Sequence, residues 1–238
     1  MTKKAQSSLP TPSTAQITHR TLAASVRHTL REWLADGELL PGQKLTGRAL
    51  SEQLDVSQTP VREAMLQLVA ERALDLNPNR SVTVPVLNRE QFIELRDIRV
   101  ALESLAVRCA VERNQQIGIP TDVIDSIASQ HQQMIAAKKR GDYQATLKLN
   151  RAVHFSAYEL SKRKDLIAMI QSLWARTGPY LNFLYENVEP SIEDSHPHEA
   201  LLEALRSNNA ELAEQAIGRD ILVGGKAILS ALPSGENQ

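Results

Sequence analysis

The chain has 238 residues, of which 42% are hydrophobic and 23% are charged, and its net charge at pH 7 is −1. These values are ordinary for a soluble globular protein and allow one large or two small domains. No apolar run is long enough to span a membrane, the segment Met1–Gln16 lacks a signal-peptide core, and the single cysteine, Cys109, excludes an intrachain disulfide. We therefore expect a cytoplasmic protein without a membrane partner, and its net charge alone does not indicate nucleic-acid binding.

The composition divides the chain into segments. Residues 1–17 are rich in Ser, Thr, Pro and Gln, which predicts a disordered arm. Short helical patterns and two strand-like runs follow, and beyond Pro85 the pattern is almost entirely helical. Pro85 stops the last strand, and Asn88 can cap the next helix. We therefore predict a first domain over residues 18–87, a second over 88–232 and a tail over 233–238.

The first domain opens with three helical patterns. Apolar residues recur at helical spacing over 22–35. A turn and a short extended piece lead to a second helix over about 47–54, for which Thr46 is the expected N-cap. Residues 55–57 form a tight turn before the third helix, which starts near Gln58. This order of two helices and a tight turn is that of a helix-turn-helix.

In a helix-turn-helix, the N-terminal end of the second helix enters the major groove of DNA. The exposed side chains predicted at that end are Ser57, Gln58, Thr59 and Arg62. Gln and Arg can read base edges, while Ser and Thr can bind phosphates or bases. Arg48 lies on the outer face of the preceding helix, within reach of a phosphate or a guanine. The same pattern is also compatible with a small helical domain that carries surface arginines.

A hairpin follows the third helix. Residues 74–76 and 82–84 read as two short strands, and residues 77–80 read as the turn between them. This hairpin is the wing of a winged helix-turn-helix. Arg80 lies at its tip, where it can enter the minor groove or hold a phosphate.

The first domain resembles the GntR family of bacterial regulators. The resemblance lies in three pieces that stand in the family's order and spacing, namely 39–45 (LLPGQKL), 49–54 (ALSEQL) and 56–64 (VSQTPVREA). The positions that match the family's operator contacts are Arg48, Ser57, Gln58, Thr59 and Arg62. Many members carry Arg at the position of Gln58, so the resemblance implies that this chain reads a different base sequence.

The second domain is predicted to be an antiparallel bundle of helices. Helical patterns cover residues 90–113, 121–139, 142–160, 165–185, 197–206 and 209–229. Pro179 should end or kink its helix. Helical bundles commonly hold inward-facing polar sites. The expected fold class is therefore mainly α, with a winged helix-turn-helix followed by an all-helical bundle.

One set of polar residues in the bundle has the chemistry of a metal site. Asn150 and His154 are four residues apart and share a helix face, His198 begins a later helix, and Asp220 lies in the last one. Two imidazoles, a carboxylate and an amide oxygen suit Zn, Ni or another borderline divalent ion. An Asn-x-x-x-His pair is also typical of a surface pair or a satisfied core pair.

Other histidines are not expected to join this set. At a helix start, residues two apart point in different directions, so we include His198 and leave out His196. His19, His28 and His131 are expected to face solvent or to pack.

Residues 90–230 resemble the FCD effector domain of the FadR subfamily. The resemblance lies in 95–103 (LRDIRVALE), 150–155 (NRAVHF) and 198–205 (HEALLEAL), and pieces near Pro179 and Tyr185 resemble the McbR-like branch. Many such domains hold a metal with an Asp, a His four residues on and two later His. This chain has Asn150 in place of the Asp and Asp220 in place of the last His. The resemblance thus implies a metal site whose carboxylate ligand comes from a different position. This change could weaken metal binding or alter which metal is preferred.

The resemblance also implies a small effector, often a carboxylate in such domains. Arg99 projects from the first helix of the bundle and is a candidate to line the effector cavity. An ion pair with Glu103, four residues on, at the surface is an equally good reading of Arg99.

Together these features predict a DNA-binding transcription regulator. A homodimer would place two recognition helices on a pseudo-palindromic double-stranded operator, and the logic usual in the family is repression relieved by a ligand. Two rivals stay open at this point. One is a metal-dependent enzyme, although no general base stands beside the ligands as in His-Glu-x-x-His. The other is a regulator in which the polar set of the bundle is structural filler.

Overall fold

A computed structural model describes residues 14–186 and 196–232 of the chain. The first domain contains the expected elements in the expected order: α1 (Thr14–Ala35), β1 (Lys44–Leu45), α2 (Gly47–Leu54), α3 (Gln58–Ala70), β2 (Asp75–Leu76) and β3 (Val82–Thr83). Thr46 caps α2, because its hydroxyl accepts a hydrogen bond from the backbone N–H of Ala49 at 3.2 Å. Between α2 and α3, Asp55 adopts a left-handed conformation with φ of 52°, which makes the turn tight.

The first helix is longer than the sequence pattern predicted. It begins at Thr14, so the last residues of the predicted disordered arm over 1–17 are helical, and that part of the prediction is wrong. The apolar periodicity on which the prediction rested starts only at Leu22. A helix extends beyond its apolar stripe when no breaker stands in the way, and the last proline before Leu22 is Pro12. Residues 1–13 and 233–238 lie outside the described residues.

The wing is a three-stranded antiparallel sheet in the order β1-β3-β2. Val82 pairs with Leu45 on one side and Leu76 on the other. The predicted hairpin is therefore present, and the short extended piece before α2 adds a third strand. Asn77 holds the turn closed, because its amide donates hydrogen bonds to the hydroxyls of Ser81 and Thr83.

The second domain is the predicted antiparallel helical bundle. Its helices are α4 (Arg89–Ile117), α5 (Thr121–Lys139), α6 (Tyr143–Glu159), α7 (Lys164–Thr177), α8 (Phe183–Glu186), α9 (Pro197–Ser207) and α10 (Ala210–Ala231). Asn88 caps α4 in a capping box with Gln91. Pro179 ends α7 as predicted, and a 3-10 turn over Gly178–Tyr180 separates α7 from α8. No helix in the described part of the chain is long and apolar enough to cross a membrane.

The two domains pack directly on each other. Ala175 of α7 is buried among the core residues of the first domain. Gly178 lies so close to the end of α1 that a Cβ atom there would stand 2.6 Å from the Cα of Ala35. The Tyr180 hydroxyl donates a hydrogen bond to the Pro85 carbonyl at 2.8 Å and accepts one from the Leu87 N–H. These contacts fix the segment that joins the domains.

Candidate DNA interface and metal centre

The N-terminal end of α3 presents the side chains that the sequence predicts for base reading. Ser57, Gln58, Thr59 and Arg62 are all exposed, whereas Val61 on the opposite face is buried. The Arg62 guanidinium donates a hydrogen bond to the Gln58 side chain at 3.3 Å. Unpaired backbone N–H groups and the helix dipole make this end favourable for a phosphate. The end of α3 can therefore hold a phosphate and present Gln58 and Arg62 to base edges together.

Arg48 and Arg80 flank α3 in the chain. The Arg48 side chain is 81% exposed and forms an ion pair with Glu52 at 2.9 Å on the outer face of α2. An exposed pair of this kind is weak, so a phosphate can compete for the arginine. Arg80 is exposed at the tip of the wing with φ of 61°, a conformation that Asn79 supports by accepting the Ser81 N–H. Both arginines are free to turn toward DNA.

Glu71 clamps the far end of α3 to α1. Its carboxylate accepts hydrogen bonds from Arg27 at 3.0 Å and from Arg31 at 2.6 Å. Because all three groups are partly buried, the pairing is stronger than an exposed one. The direction of the recognition helix is therefore set by α1.

In the bundle, the fold brings three of the predicted metal ligands together. His154 Nε2 lies 3.0 Å from His198 Nε2 and 3.1 Å from Asp220 Oδ2, and His198 Nε2 lies 3.9 Å from Asp220 Oδ1. Both histidines are buried, while the Asp220 side chain is 20% exposed. The three groups come from α6, the first turn of α9 and the middle of α10. Solvent therefore reaches this cluster mainly at Asp220.

A buried chain of hydrogen bonds supports His154 from behind. Glu103 is fully buried and accepts hydrogen bonds from the Tyr158 hydroxyl at 2.5 Å and from the Trp174 indole at 3.1 Å. Arg99 pairs with the same carboxylate at 2.7 Å and stacks on the Trp174 ring. The Tyr158 oxygen lies 2.7 Å from His154 Nδ1.

These hydrogen bonds determine which ring nitrogen of His154 carries its proton. The single hydroxyl proton of Tyr158 goes to Glu103, because a carboxylate can only accept. The Tyr158 oxygen must then accept from His154, so Nδ1 carries a proton. Nε2 is the atom left to face His198 and Asp220. A ligand histidine typically donates its other ring N–H to a supporting acceptor in this way.

The electrostatics of the cluster favour a cation. Burial lowers the pKa of His198 well below its ordinary value and lowers that of His196 to about 4, so both rings are neutral at pH 7. Burial alone would raise the pKa of Asp220, but the neighbouring rings of His154 and His198 outweigh it and hold that pKa below its usual range. The ionised carboxylate of Asp220 thus lies beside the neutral ring of His198.

The donor atoms also have the spacing of a metal site. Zn–N bonds of about 2.0–2.1 Å place two tetrahedral ligands about 3.3 Å apart. The distances among His154, His198 and Asp220 lie on both sides of that value. The residues present therefore fit a divalent ion, which would be held by two imidazoles and a carboxylate.

Two other predicted site residues, Asn150 and Arg99, are not among the three groups that the fold brings together. Asn150 is half-buried one turn before His154, and its side chain forms no hydrogen bond within the described part of the chain. Arg99 forms the predicted i+4 ion pair with Glu103, but this pair is buried rather than at the surface. Burial would lower the pKa of Arg99, yet Glu103 outweighs it and raises that pKa. The guanidinium is thus already neutralised by a carboxylate.

Two histidines that the sequence analysis set aside lie at the cluster. The expectation that His196 points away is wrong, because its ring centroid is 4.4 Å from that of His198. His196 is the N-cap of α9 in an extended conformation, and its Nδ1 accepts the His198 backbone N–H. His131 on α5 packs against both rings, each at 5.3 Å between centroids. The His-x-His spacing was the available signal for His196, and no local signal pointed to His131.

The helix that carries His154 is also tied to the first domain. Arg151, one turn earlier on α6, forms a bidentate pair with Asp36 at the end of α1, at 2.5 and 3.2 Å. Lys148 on the same helix pairs with Glu38 at 2.7 Å. Asp36 is buried, so its partner matters more than that of an exposed acid. One helix therefore carries both a cluster ligand and the polar contact to α1.

Comparison with known proteins agrees with this architecture. Residues 22–84 match the bacterial regulatory proteins of the gntR family, and residues 94–222 match the FCD domain. The HTH-type transcriptional regulator McbR of Escherichia coli K12 is 36% identical over 205 residues, which cover 84% of this chain and 89% of that protein. A probable repressor of a D-xylose utilization operon from Paenarthrobacter nicotinovorans is 25% identical over 202 residues, covering 85% and 86% of the two chains.

Solved structures show the same arrangement of domains. The structure of E. coli McbR superposes with a TM-score of 0.79 at 32% identity and covers 88% of this chain and 97% of that one. A GntR regulator from Rhodococcus sp. RHA1 shares the fold with a TM-score of 0.69 at 21% identity, covering 90% and 100%. McbR is a transcriptional regulator and the gntR family consists of bacterial regulatory proteins, so the chain is a DNA-binding transcription regulator and not an enzyme. It belongs to the GntR family of bacterial regulatory proteins and carries the FCD domain that matches the FadR-like subfamily.

Proposed function

We propose that the protein is a cytoplasmic repressor that binds its operator as a homodimer and is controlled by a divalent ion and a small effector in its second domain. We take residues 18–87 as the DNA-binding domain and 88–232 as the effector domain. The proposal rests on one set of contacts between the metal centre and the recognition helix. His154 and Arg151 lie on α6, Arg151 pairs with Asp36 at the end of α1, and α1 is paired in turn with the end of α3 through Arg27 and Glu71.

The DNA contacts in this proposal follow from exposure and position. Gln58 and Arg62 read base edges in the major groove, and Ser57 and Thr59 hold the phosphate at the start of α3. Arg48 and Arg80 bind phosphates on either side or, for Arg80, enter the minor groove. Every one of these side chains is exposed and stands on an element held by the core.

A second copy of the chain is the proposed partner of the α4–α10 face. Gly218 lies between Val100 and Ser104, and Gly225 lies between Phe92 and Arg96. The two helices are therefore antiparallel, and Leu222 stands near the level of Ile98. The exposed large apolar residues on these helices include Ile98, Leu105, Leu222 and Val223. A symmetric contact of this face would give the two-fold arrangement that a palindromic operator requires.

The proposed ion is Zn²⁺ or Ni²⁺, which two imidazoles and a carboxylate suit. His154, His198 and Asp220 would hold it, and Asn150 is the proposed fourth ligand. When bound, an ion that accepts more than four ligands would offer its remaining position to an oxygen of the effector, for which a small carboxylate is the natural class. The partly exposed Asp220 marks the side from which an effector would enter.

Arg99 is proposed to act on the effector site through its neighbours. Its guanidinium holds Glu103, which orients Tyr158, which in turn holds His154 Nδ1. Arg99 would then be a positioning residue for the metal ligand, and direct contact with an effector would require release of Glu103.

Selection of bound DNA from a random pool tests this function. Purified protein should enrich sequences with two inverted half-sites whose centres lie about one helical turn, 34–36 Å, apart or a multiple of it. The same selection with an Arg62→Ala, Gln58→Ala variant should enrich no motif. A wild-type pool without any common sequence, or with a single unrepeated half-site, would contradict a dimeric sequence-specific repressor.

A further inference from the structure

Three histidines form a second cluster on the other side of His198. His131 comes from α5, His196 from the N-cap of α9 and His198 from its first turn. One ring nitrogen of each lies within 4.8 Å of one in each of the others. His131 and His196 do not belong to the site of His154 and Asp220. This second cluster thus shares only His198 with the first site.

Two nitrogens of this cluster have no partner. His131 Nδ1 and His198 Nδ1 are buried and accept or donate no hydrogen bond within the described part of the chain. Buried polar atoms in native proteins are almost always paired, so two unpaired nitrogens in one cluster indicate a place where a ligand binds. In the first site His198 uses Nε2, which leaves its Nδ1 for a second ligand.

The surroundings indicate a cation as that ligand. An imidazole nitrogen with a lone pair is a metal ligand, and three from one cluster provide the nitrogen set that suits Zn²⁺, Ni²⁺ and Cu²⁺. The carboxylates that act electrostatically on His131 are those of Glu199 and Asp220. Lys138 is the basic side chain that acts on His196. Two acidic groups beside one lysine favour a cation over an anion.

We propose that His131, His196 and His198 form a second site for a borderline transition-metal ion, next to the site of His154 and Asp220 and sharing His198 with it. When the first ion already occupies His198 Nε2, binding of a second ion at Nδ1 would release the one ring proton to solvent. With both sites filled, His198 would bridge the two ions as an imidazolate. The second ion therefore binds more weakly than the first. This site goes beyond the proposed function, because His131 and His196 are not needed for the first ion.

Zn²⁺ titration of three matched variants tests the proposal. The His154→Gln, Asp220→Asn variant removes only the first site and should bind one Zn²⁺ per chain through the second. Adding His131→Gln to that variant should reduce its Zn²⁺ affinity at least tenfold. The His131→Gln, His196→Gln variant should keep the tight ion of the first site. Circular dichroism and the melting temperature check that each variant is folded.

The outcomes separate the two sites. If the His154→Gln, Asp220→Asn variant binds no Zn²⁺ while the His131→Gln, His196→Gln variant binds one, the second site is wrong and the first stands. If the reverse holds, the first site fails and the second stands. Should the first variant not fold, long-range ¹H–¹⁵N spectra of the wild-type protein decide. Zn²⁺ beyond one equivalent should shift the ring nitrogens of His131 and His196, and unmoved rings would overturn the proposal.

Discussion

The hydroxyl of Tyr158 lies 2.7 Å from His154 Nδ1, and this contact determines which nitrogen of the histidine faces the candidate metal centre. Because Tyr158 gives its proton to Glu103, Nδ1 must be the donor and Nε2 points toward His198 and Asp220. A tyrosine one helical turn from the ligand thus prepares it for a cation. The centre should depend on this second layer nearly as much as on its ligands.

Removal of the Tyr158 hydroxyl should weaken metal binding. A Tyr158→Phe variant keeps the packing of the ring but leaves His154 Nδ1 without an acceptor. We expect its Zn²⁺ affinity, measured by calorimetric titration, to fall about 10- to 100-fold. Thr146→Val is the matched control, because it removes another buried hydroxyl from α6 that bonds only the Asp142 carbonyl. Equal affinities for the two variants would show that Tyr158 does not position His154.

Arg62 should carry a large part of operator recognition. An Arg62→Ala variant should lose about 1–3 kcal/mol of specific binding, which corresponds to roughly a 5- to 150-fold weaker Kd. The fold should not change, because the side chain is exposed and, among the described residues, it bonds only Gln58. Fluorescence anisotropy on the selected operator measures the effect. Arg140→Ala removes the same charge from the exposed end of α5 and should leave the Kd unchanged. A loss of the same size in both variants would reduce the role of Arg62 to net charge.

Gly178 should be intolerant of a side chain. An alanine Cβ there would fall on the Leu34 carbonyl oxygen and the backbone of Ala35, so α7 and α1 would have to move apart. We expect Gly178→Ala to lower the free energy of unfolding by about 1–3 kcal/mol in urea denaturation. Gly224→Ala on α10 is the control, because its Cβ would meet only the Leu184 side chain at 3.7 Å. There alanine should raise helix stability by up to about 1 kcal/mol. An unaffected Gly178→Ala protein would mean that the domains are not in the close contact described.

Arg151 should couple the two domains. An Arg151→Ala variant leaves Asp36 buried without its partner, which should cost about 1–3 kcal/mol of stability. It should also reduce the effect of Zn²⁺ on operator affinity, because the polar link between α6 and α1 is broken. Lys148→Ala removes a more exposed pair from the same helix and should change stability by less than about 1 kcal/mol. A variant at Arg151 that keeps the full Zn²⁺ effect would rule out this route.

The sequence predicted the elements whose signals are local. Thr46, Asn88 and Pro179 act where the sequence placed them, because capping and helix termination depend on a few neighbouring residues. The early start of α1 was missed because its first turns have no apolar stripe. His131 was missed for a different reason. It reaches the cluster only through the packing of α5 beside α9, which no spacing in the sequence encodes.

The burial of the Arg99–Glu103 pair behind His154 could not be predicted from local sequence signals either. Arg99 and Glu103 were readable as an i+4 pair, yet their burial beside Trp174 depends on the packing of α4 against α7. An exposed pair and a buried pair have the same spacing. Sequence reasoning therefore identified the pair and assigned it to the wrong environment.

Operator affinity with and without a bound ion tests the central claim most directly. Wild-type protein and a His154→Gln variant are freed of metal by chelator dialysis, and the Kd for the selected operator is measured before and after addition of one equivalent of Zn²⁺. A coupling of typical size predicts a change of at least about fivefold for the wild-type protein, and we expect none for the variant. An identical Kd for the wild-type protein in both states would contradict control of DNA binding by an ion at His154, His198 and Asp220.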